Sequence, residues 1–541
     1  MIGPHLLLTL PVAIPLCAAA LCAMLWRRPP MQRAVSLAAS LALLAASLAL
    51  LAATADGTVL TTRFGSWPAP FAIVFVGDLL STAMVVITGV MAVAVAVYGL
   101  VDGAREREQA LFHPLYHGLL LGVTGAFLTG DLFNLYVWFE VMLIASFGLL
   151  VQDGTRAQLD AGIKYVVLNL LATTLFLMAI AFLYGLTGSL NMADLAITLP
   201  TVENRGLVVT LAVMFLFAFG AKAAVFPLFF WLPAAYHTAT APVVAIFAAL
   251  LTKVGVYALL RSFTLIFAPE LGTLGPAIGV IAGATMVTGV LGAAAHFDVR
   301  RILSFHIISQ IGYMLVGLAV ATPLAIAGSV LYVIHHIVVK ANLFLVGGAI
   351  RLAGGSTDLA RIGGLYRRAP LLAILFAIPA LSLAGVPPLS GFWAKFVVVR
   401  SSLEAGHVAL AAIALVVGLL TLYSMAKIWN EAFWKAPSEP EAAASATVAP
   451  TTAPTAAPTL PTALPPAAAL QARWYDEPRT RIAMIAPIAA LASITLTIGL
   501  SAEWFVDYAM RAAEQMLSTT TYVEAVLEGT RPATARLELD R

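Results

Sequence analysis

The chain has 541 residues, of which 61% are hydrophobic and 11% are charged. Because soluble globular proteins carry roughly 25% charged residues, this composition excludes an ordinary water-soluble protein and indicates a protein of the lipid bilayer. The formal net charge of +3 does not indicate a nucleic-acid partner, and the two cysteines, Cys17 and Cys22, predict neither a disulfide framework nor a metal site.

Apolar runs of about 20 residues, the length that crosses about 30 Å of hydrocarbon, recur along almost the whole chain. They predict an all-α, polytopic membrane protein with about 14 transmembrane helices. The predicted spans are 4–26, 34–54, 74–100, 111–128, 132–150, 162–185, 207–231, 242–261, 273–295, 302–320, 324–350, 369–400, 408–434 and 482–506.

The basic residues indicate the orientation of these spans. If the N-terminus is outside, the inner loops hold 18 lysines and arginines and the outer loops hold four, which agrees with the positive-inside tendency. Arg27 and Arg28 follow the first run, whereas no lysine or arginine precedes it, so we interpret this run as a retained span and not as a signal peptide. We therefore expect a multi-pass protein of the plasma membrane with both termini outside.

The spans divide the chain into five segments. Residues 1–110 hold the first three helices, 111–261 hold helices 4 to 8, and 273–435 hold helices 9 to 13. The segment 436–481 is rich in Ala, Pro and Thr, a composition that favours an extended, solvated chain, so we expect a flexible cytoplasmic linker there. Residues 482–541 hold the last transmembrane helix and a tail.

Several ionisable residues fall near the middle of the predicted spans. A charge at that depth is costly, so such residues are candidates for a functional path unless they can reach the membrane surface. A structural role is the simpler interpretation for a single histidine. However, His336 shares a helix face with Lys340 one turn away, whereas His335 points elsewhere. The candidate residues of the path are Glu140, Lys222, Lys253, His336, Lys340 and Lys395.

His306 and Asp78 lie nearer the ends of their spans than these candidates do. Polar groups at such positions are explained by hydrogen bonds at a helix end. We therefore leave His306 and Asp78 out of the predicted path.

Prolines interrupt two of the predicted spans. Pro227 lies in the seventh span, and Pro387 and Pro388 lie in the twelfth. Each removes a backbone donor and clashes with the preceding turn, so we predict broken helices that are buried in protein or line a hydrated cavity. The local sequences "PLFFW" and "PLSGFW" are alike and lie five spans apart, so the two spans cross in opposite directions. This arrangement predicts two inverted five-helix repeats, as in secondary transporters.

The candidate groups also indicate a mechanism. We predict that Glu140 and Lys222 form a pair, and that its opening changes the proton affinity of Lys253 and of the groups beyond it. A row of ionisable groups at mid-depth favours proton translocation over the binding of an organic solute. A solute site would instead use aromatic and amide groups clustered at one place. The sequence contains no nucleophile elbow, phosphate loop or metal-ligand set, so we expect a transporter and not an enzyme, with no cofactor and no metal.

Six ordered segments resemble the proton-conducting antiporter family. They are "FNLYVWFEVMLIASFGLL", "AKAAVFPLFFWLPAAYHTATAPV", "LLTKVGVYAL", "FDVRRILSFHIISQIGYM", "HHIVVKANLFL" and "GVPPLSGFWAKF". The family comprises antiporter-like subunits of respiratory complex I, of membrane-bound hydrogenases and of multi-subunit Mrp cation/proton antiporters. The resemblance covers about residues 70–430. Within the family, "DGTVLTTRFGSWPAPFAIVFVGDLLS" and a lysine at position 395 most resemble the D-type subunits of Mrp complexes.

The resemblance implies that the six candidate residues match the family's proton-path positions. It also implies partner membrane subunits, with protons and Na⁺ as the transported ions. The leading hypothesis is therefore a proton-translocating subunit of a Na⁺/H⁺ antiporter. The alternatives are a subunit of an NADH-quinone or hydrogenase redox complex, and a scaffold in which the charges are structural ion pairs.

Overall fold

The computed structural model describes residues 3–65, 67–102, 108, 111–436 and 467–527. Within these ranges the fold is helical apart from one two-stranded antiparallel sheet. The sheet is formed by β1 (Leu60–Arg63) and β2 (Val74–Gly77). The predicted all-α class is confirmed.

The helices up to the first predicted break are long and mostly apolar, as spans of a bilayer require. They are α1 (Pro4–Met24), α2 (Pro29–Thr54), α3 (Leu79–Asp102), α4 (Phe112–Leu128), α5 (Leu132–Leu150), α6 (Arg156–Thr187), the short α7 (Met192–Thr198) and α8 (Arg205–Ala223).

Beyond that break the helices continue through the second half of the chain. They are α9 (Trp231–Tyr236), α10 (Ala241–Ile246), α11 (Thr252–Leu265), α12 (Leu271–Ala295), α13 (Val299–Val320), α14 (Pro323–Gly354), α15 (Leu365–Arg368), α16 (Pro370–Ala384), α17 (Ser390–Glu404), α18 (Val408–Ile428), α19 (Ala467–Tyr475), α20 (Pro478–Leu500), α21 (Ala502–Leu517) and α22 (Thr519–Leu527).

Twelve helices in the described part of the chain are long and apolar enough to cross a membrane. Two predicted spans fall outside this set. The span 111–128 corresponds to α4, which has 17 residues, and the span 369–400 is divided into α16 and α17, which have 15 residues each. The multi-pass membrane architecture is therefore clear, whereas the count of about 14 spans stays a prediction.

Three long segments form the centre of the bundle. The segment from Ala241 to Leu265 is wholly buried within the chain, and α13 and α14 are almost wholly buried. Rim helices such as α1 and α6 instead present leucine, isoleucine and phenylalanine side chains outward. A helix that is apolar all round belongs in such a core. The central helices also carry Lys253, His336 and Lys340, and these polar side chains are therefore buried inside the protein.

The sheet and the last two helices lie together at one end of the bundle, here called the hairpin end. Thr61 Oγ1 donates to Ala525 O at 3.3 Å, and Tyr508 Oη donates to Leu79 O at 2.7 Å. Gln515 Oε1 accepts a bond from the Leu79 backbone N–H at 2.9 Å. The tail that follows the last predicted span thus includes α21 and α22, which cover the start of α3.

The prediction of an extended linker over 436–481 is wrong for the last third of that segment, which is helical. Residues 437–466 lie outside the described residues. Ala467–Tyr475 forms α19 instead of an extended chain, because "AAALQARWY" follows the last proline of the segment and consists largely of helix-favouring residues. Trp474 is only 2% exposed, and Arg473 donates to Val101 O at 2.5 Å, so this helix packs on the bundle.

Candidate functional site

The first helix break follows Lys222. α8 ends at Ala223 and α9 begins only at Trp231, so Pro227 lies in a non-helical stretch. Proline cannot continue the hydrogen-bond ladder, which explains the break. Trp231 Nε1 donates to Ala221 O at 2.9 Å, so one acceptor near the end of α8 is satisfied inside the protein. Lys222 is therefore held in the last turn of a helix that stops inside the bundle, where its side chain is 5% exposed.

Glu140 lies on α5, next to the aromatic neighbour of Lys222. The Lys222 Nζ atom is 5.6 Å from the centre of the Phe139 ring, and the Glu140 carboxylate acts on Lys222 electrostatically. No ion pair or hydrogen bond joins Glu140 to Lys222 among the described residues. Glu140 Oε1 is buried without a partner, although the residue as a whole is partly exposed. The two predicted partners are thus not bonded directly to each other, an arrangement that we call open.

Lys253 is the next candidate residue along the chain after Lys222. It is fully buried in the first turn of α11, and its Nζ donates to Ala248 O. Ala248 lies in a π-helical segment, Phe247–Leu251, which departs from the regular α-helical ladder. Gly255 of α11 lies against the end of α8. The approach is so close that a Cβ atom added at Gly255 would lie 2.5 Å from the Ala223 backbone nitrogen. The helices that carry Lys222 and Lys253 are therefore in direct backbone contact.

α14 places two candidate residues on one face. His336 and Lys340 are both fully buried, and Lys340 Nζ donates to Leu303 O of α13 at 3.1 Å. Neither ring nitrogen of His336 has a partner among the described residues. His335 faces away from His336 and Lys340, as predicted, but the sequence did not predict which residue it contacts. Its Nδ1 pairs with Ser390 Oγ at 2.8 Å, so it points to the second helix break.

The second break lies between α16 and α17 and holds Lys395. α16 ends at Ala384 and α17 begins at Ser390, with Pro387 and Pro388 in the non-helical stretch between them. Lys395 Nζ donates to Ala384 O at 2.9 Å. This carbonyl is the last of α16, and a helix end leaves such acceptors without an intrahelical donor. The lysine therefore bonds an acceptor that the break has freed.

One face of α13 carries polar residues that the path predicted from the sequence does not include. His306 is fully buried with neither ring nitrogen bonded among the described residues. Gln310 Oε1 accepts from Tyr332 Oη, and Tyr332 stacks on Tyr313 with ring centres 5.0 Å apart. The spacing of four and three residues along "HIISQIGY" places His306, Gln310 and Tyr313 on one helix face. That spacing is a signal present in the sequence.

Asp78 is a second residue outside the predicted path. Its carboxylate pairs with the Arg261 guanidinium at 2.5 Å, and both side chains are nearly fully buried at the hairpin end. From the sequence we explain Asp78 as a helix-end group. A buried partner on a distant helix gives no local signal in the sequence.

The site as a whole consists of buried amines, imidazoles and one carboxylate. No group of three or more His, Cys, Asp or Glu residues that could hold a metal occurs among the residues that the structure describes. Buried polar atoms in proteins nearly always have a partner, and ordered water supplies it where the protein does not. Glu140 Oε1 and the ring nitrogens of His306 and His336 are buried polar atoms of this kind that have no protein partner among the described residues.

Residues 129–421 match the family described as NADH:quinone oxidoreductase/Mrp antiporter, TM. A curated relative, the D-type Na(+)/H(+) antiporter subunit of Alkalihalophilus pseudofirmus, is 42% identical over 522 residues, which cover 96% of this chain and 99% of the relative. The chain belongs to the family of D-type antiporter subunits. The resemblance to D-type subunits is thereby confirmed.

Two solved structures have the same fold as this chain. A chain of the Mrp complex from Dietzia sp. DQ12-45-1b matches with a TM-score of 0.85 and 34% identity, covering 96% of this chain and 99% of that one. A chain of the membrane-bound sulfane sulfur reductase, an archaeal respiratory membrane complex, matches with a TM-score of 0.83 and 23% identity, over 96% of this chain and 99% of that one. At this lower identity the second likeness concerns the fold alone.

Proposed function

We propose that this chain is a proton-translocating subunit of a multi-subunit cation/proton antiporter that exchanges Na⁺ for H⁺. The path consists of Glu140, Lys222, Lys253, His336, Lys340 and Lys395. The main support is that three buried lysines, Lys253, Lys340 and Lys395, donate to backbone carbonyls inside the protein, and that the acceptors of Lys253 and Lys395 lie at helix irregularities. Antiport is favoured over a redox-driven pump because the relative matched along nearly its whole length is named as part of an antiporter.

The lysine contacts suit repeated proton transfer. Lys253 donates to a carbonyl in the π-helical segment, and Lys395 donates to the last carbonyl of α16. A lysine can donate to such an acceptor either as an ammonium or as a neutral amine. A proton can therefore leave and return while the side chain stays in place.

The position of Glu140 supports a partner subunit on α5. Phe133, Val137, Ile144 and Phe147 are exposed, and they share a helix face with Glu140. We name these five residues the α5 stripe. A carboxylate facing lipid at mid-depth is costly, so a partner helix that offers a polar or cationic group there would stabilise it. The α5 stripe is accordingly proposed as an interface with another membrane subunit.

The orientation completes the proposal. The chain lies in the plasma membrane, and the hairpin end faces outside, since the predicted inner loops carry most of the basic residues. The two breaks then belong to two inverted repeats, 111–261 and 273–435, whose corresponding lysines are Lys222 and Lys395. The chain acts as a transporter subunit without covalent catalysis.

Exchange measured in vesicles that contain the complete complex tests this function. Lys222→Ala and Glu140→Gln should abolish the Na⁺-dependent pH change while leaving the subunit composition of the complex unaltered. Lys164→Ala serves as a control, because Lys164 is exposed and pairs with Asp160 one turn away on the same helix. Full exchange by both path variants would overturn the proposed path.

A further inference from the structure

Lys340 and Lys395 contact the same helix at two different levels. Lys340 Nζ bonds Leu303 O of α13, and Lys395 Nζ lies 5.1 Å from the centre of the Tyr313 ring of α13. Ten residues separate these contacts, which is about 15 Å along a helix axis. These contact points are several hydrogen-bond lengths apart along α13, so a proton that passes along this helix from one to the other needs intermediate groups.

His306 is the titratable residue of α13 that lies on this face between the two contacts. It follows Leu303 by three residues, so it shares its face and lies about 4.5 Å further along the axis. The side chain is fully buried, and neither ring nitrogen has a partner among the described residues. An imidazole of this kind can accept a proton at one nitrogen and release one from the other.

The charged groups around His306 come from three neighbouring helices. Lys340 of α14, Lys395 of α17 and Lys427 of α18 act on its ring electrostatically, and the ring acts in turn on His336 of α14. Lys427 Nζ is held by the carbonyls of Ala294 and His296 at 2.8 and 2.7 Å. Lys340 and Lys395 are each held by one carbonyl.

Beyond His306, polar side chains continue toward Lys395. Gln310 Nε2 is buried without a partner among the described residues, while its Oε1 accepts from Tyr332 Oη. Tyr332 stacks on Tyr313, whose ring lies beneath Lys395. Ordered water at the free atoms of His306 and Gln310 would join these groups into one hydrogen-bonded chain.

We propose that His306 carries protons between Lys340 and Lys395. In one transfer the Lys340 ammonium loses a proton through water to the free ring nitrogen of His306. The imidazolium then releases its other proton through the water and side chains near Gln310 to the neutral Lys395 amine. One proton enters and one leaves the ring, so the charge moves without net change at His306. This inference rests on the proposed function and adds a residue to its path.

Two substitutions test the role of His306 in vesicles that contain the complete complex. His306→Gln keeps a side chain that can hydrogen-bond but cannot gain and lose a proton, and His306→Ser does the same with less volume. We expect either assembled variant to lose about 100-fold in Na⁺-dependent proton exchange, the lower edge of what a positioned proton-transfer group contributes. His407→Gln is the control, because His407 is exposed in the loop before α18.

Further measurements separate a relay from a structural role. Subunit composition and melting temperature should match those of the unsubstituted complex in at least one of the two variants. Loss of exchange in that variant without loss of assembly or stability is the result expected of a relay and not of a structural role. Exchange above half the unsubstituted rate in an assembled His306→Gln or His306→Ser complex would overturn the inference.

Lys222→Ala, measured in parallel, separates this inference from the proposed function. If Lys222→Ala abolishes exchange while a His306 variant retains it, only the role of His306 is overturned. If Lys222→Ala itself exchanges normally, the proposed function fails first.

Discussion

The Asp78 carboxylate and the Arg261 guanidinium form a 2.5 Å ion pair that is buried beneath the C-terminal helices. The guanidinium lies 5.5 Å from the ring centre of Tyr257 and 5.2 Å from that of Tyr522. Asp78 also accepts a bond from the Ser81 backbone N–H at 2.8 Å. This contact joins α3, α11 and α22 at one point, so the hairpin end depends on residues from three distant parts of the chain.

Removing one charge of this pair should destabilise the chain strongly. Asp78→Asn leaves the Arg261 charge buried and uncompensated, which costs about 3–5 kcal/mol in comparable pairs. The expected result is a clear fall in the melting temperature of the purified complex. Asp507→Asn is the control, since Asp507 is exposed on α21 and should change stability by less than about 0.5 kcal/mol. Equal melting temperatures for the two variants would contradict this role.

Asp131, which lies near the hairpin end, should make the free energy of unfolding depend on pH. It accepts a bond from the Asn134 backbone N–H at 2.7 Å, just before α5, and burial raises its pKa to about 6. Its unfolded pKa is about 3.9, so its contribution to stability is fully present below about pH 4 and is lost as the pH rises through 6.

Asp131→Asn keeps the accepting oxygen but does not titrate. Relative to this variant, the unsubstituted chain should lose about 2 kcal/mol of unfolding free energy between pH 4 and pH 7, at roughly 1.4 kcal/mol per unit of pKa shift. Chemical unfolding at a series of pH values measures the difference. A difference that does not vary with pH would show that the Asp131 carboxyl does not have a raised pKa.

Gly255 should matter for transport although it carries no side chain. Its α-carbon lies against the backbone of Lys222 and Ala223, and an added methyl group would come within 2.5 Å of the Ala223 nitrogen. Gly255→Ala should therefore push the end of α8 away from α11 and lower exchange by about tenfold or more, because misplacement by about 1 Å can cost 100-fold. Gly185→Ala meets no atom within 4 Å and serves as the matched control. Equal exchange rates for the two variants would mean that this contact does not position Lys222.

The α5 stripe should cross-link to a partner subunit. Cysteines placed at Val137 and Ile144, which are 37% and 68% exposed, should react with a thiol cross-linker only in the assembled complex. Ala145→Cys lies on the same helix but at a site that is 5% exposed, so it should not react. Products identified by mass spectrometry would name the neighbouring subunit. Labelling of the stripe by lipid-soluble probes alone would place it against the bilayer instead.

The sequence predicted the helical class and the two proline-containing interruptions because both follow from local chemistry. Apolar runs of bilayer length and prolines within them act on the chain where they occur. The average composition of the linker does not predict the helix Ala467–Tyr475, because a short helix-favouring stretch follows the last proline there.

Contacts between distant helices could not be predicted in the same way. Nothing near Asp78 indicates that Arg261 lies beside it, and nothing near His335 indicates Ser390. The open arrangement of Glu140 and Lys222 depends on how α5 packs against the end of α8, which periodicity does not determine. His306 is the exception. Its spacing from Gln310 and Tyr313 predicts their common helix face, and only the contacts with other helices could not be predicted.

The contacts of the hairpin end also constrain the order in which the chain can fold. Arg511 and Gln515 bond the carbonyls of Ala55 and Gly57, across 456 and 458 residues of sequence. At a synthesis rate of about 5–20 residues per second, the N-terminal helices wait roughly 20–90 s for these partners. During that interval the start of α3 lacks its cover, so a nascent chain has a period in which membrane chaperones or early-binding subunits can reach it. Truncated chains that end before α21 would lack these contacts, and the start of α3 would stay uncovered in them.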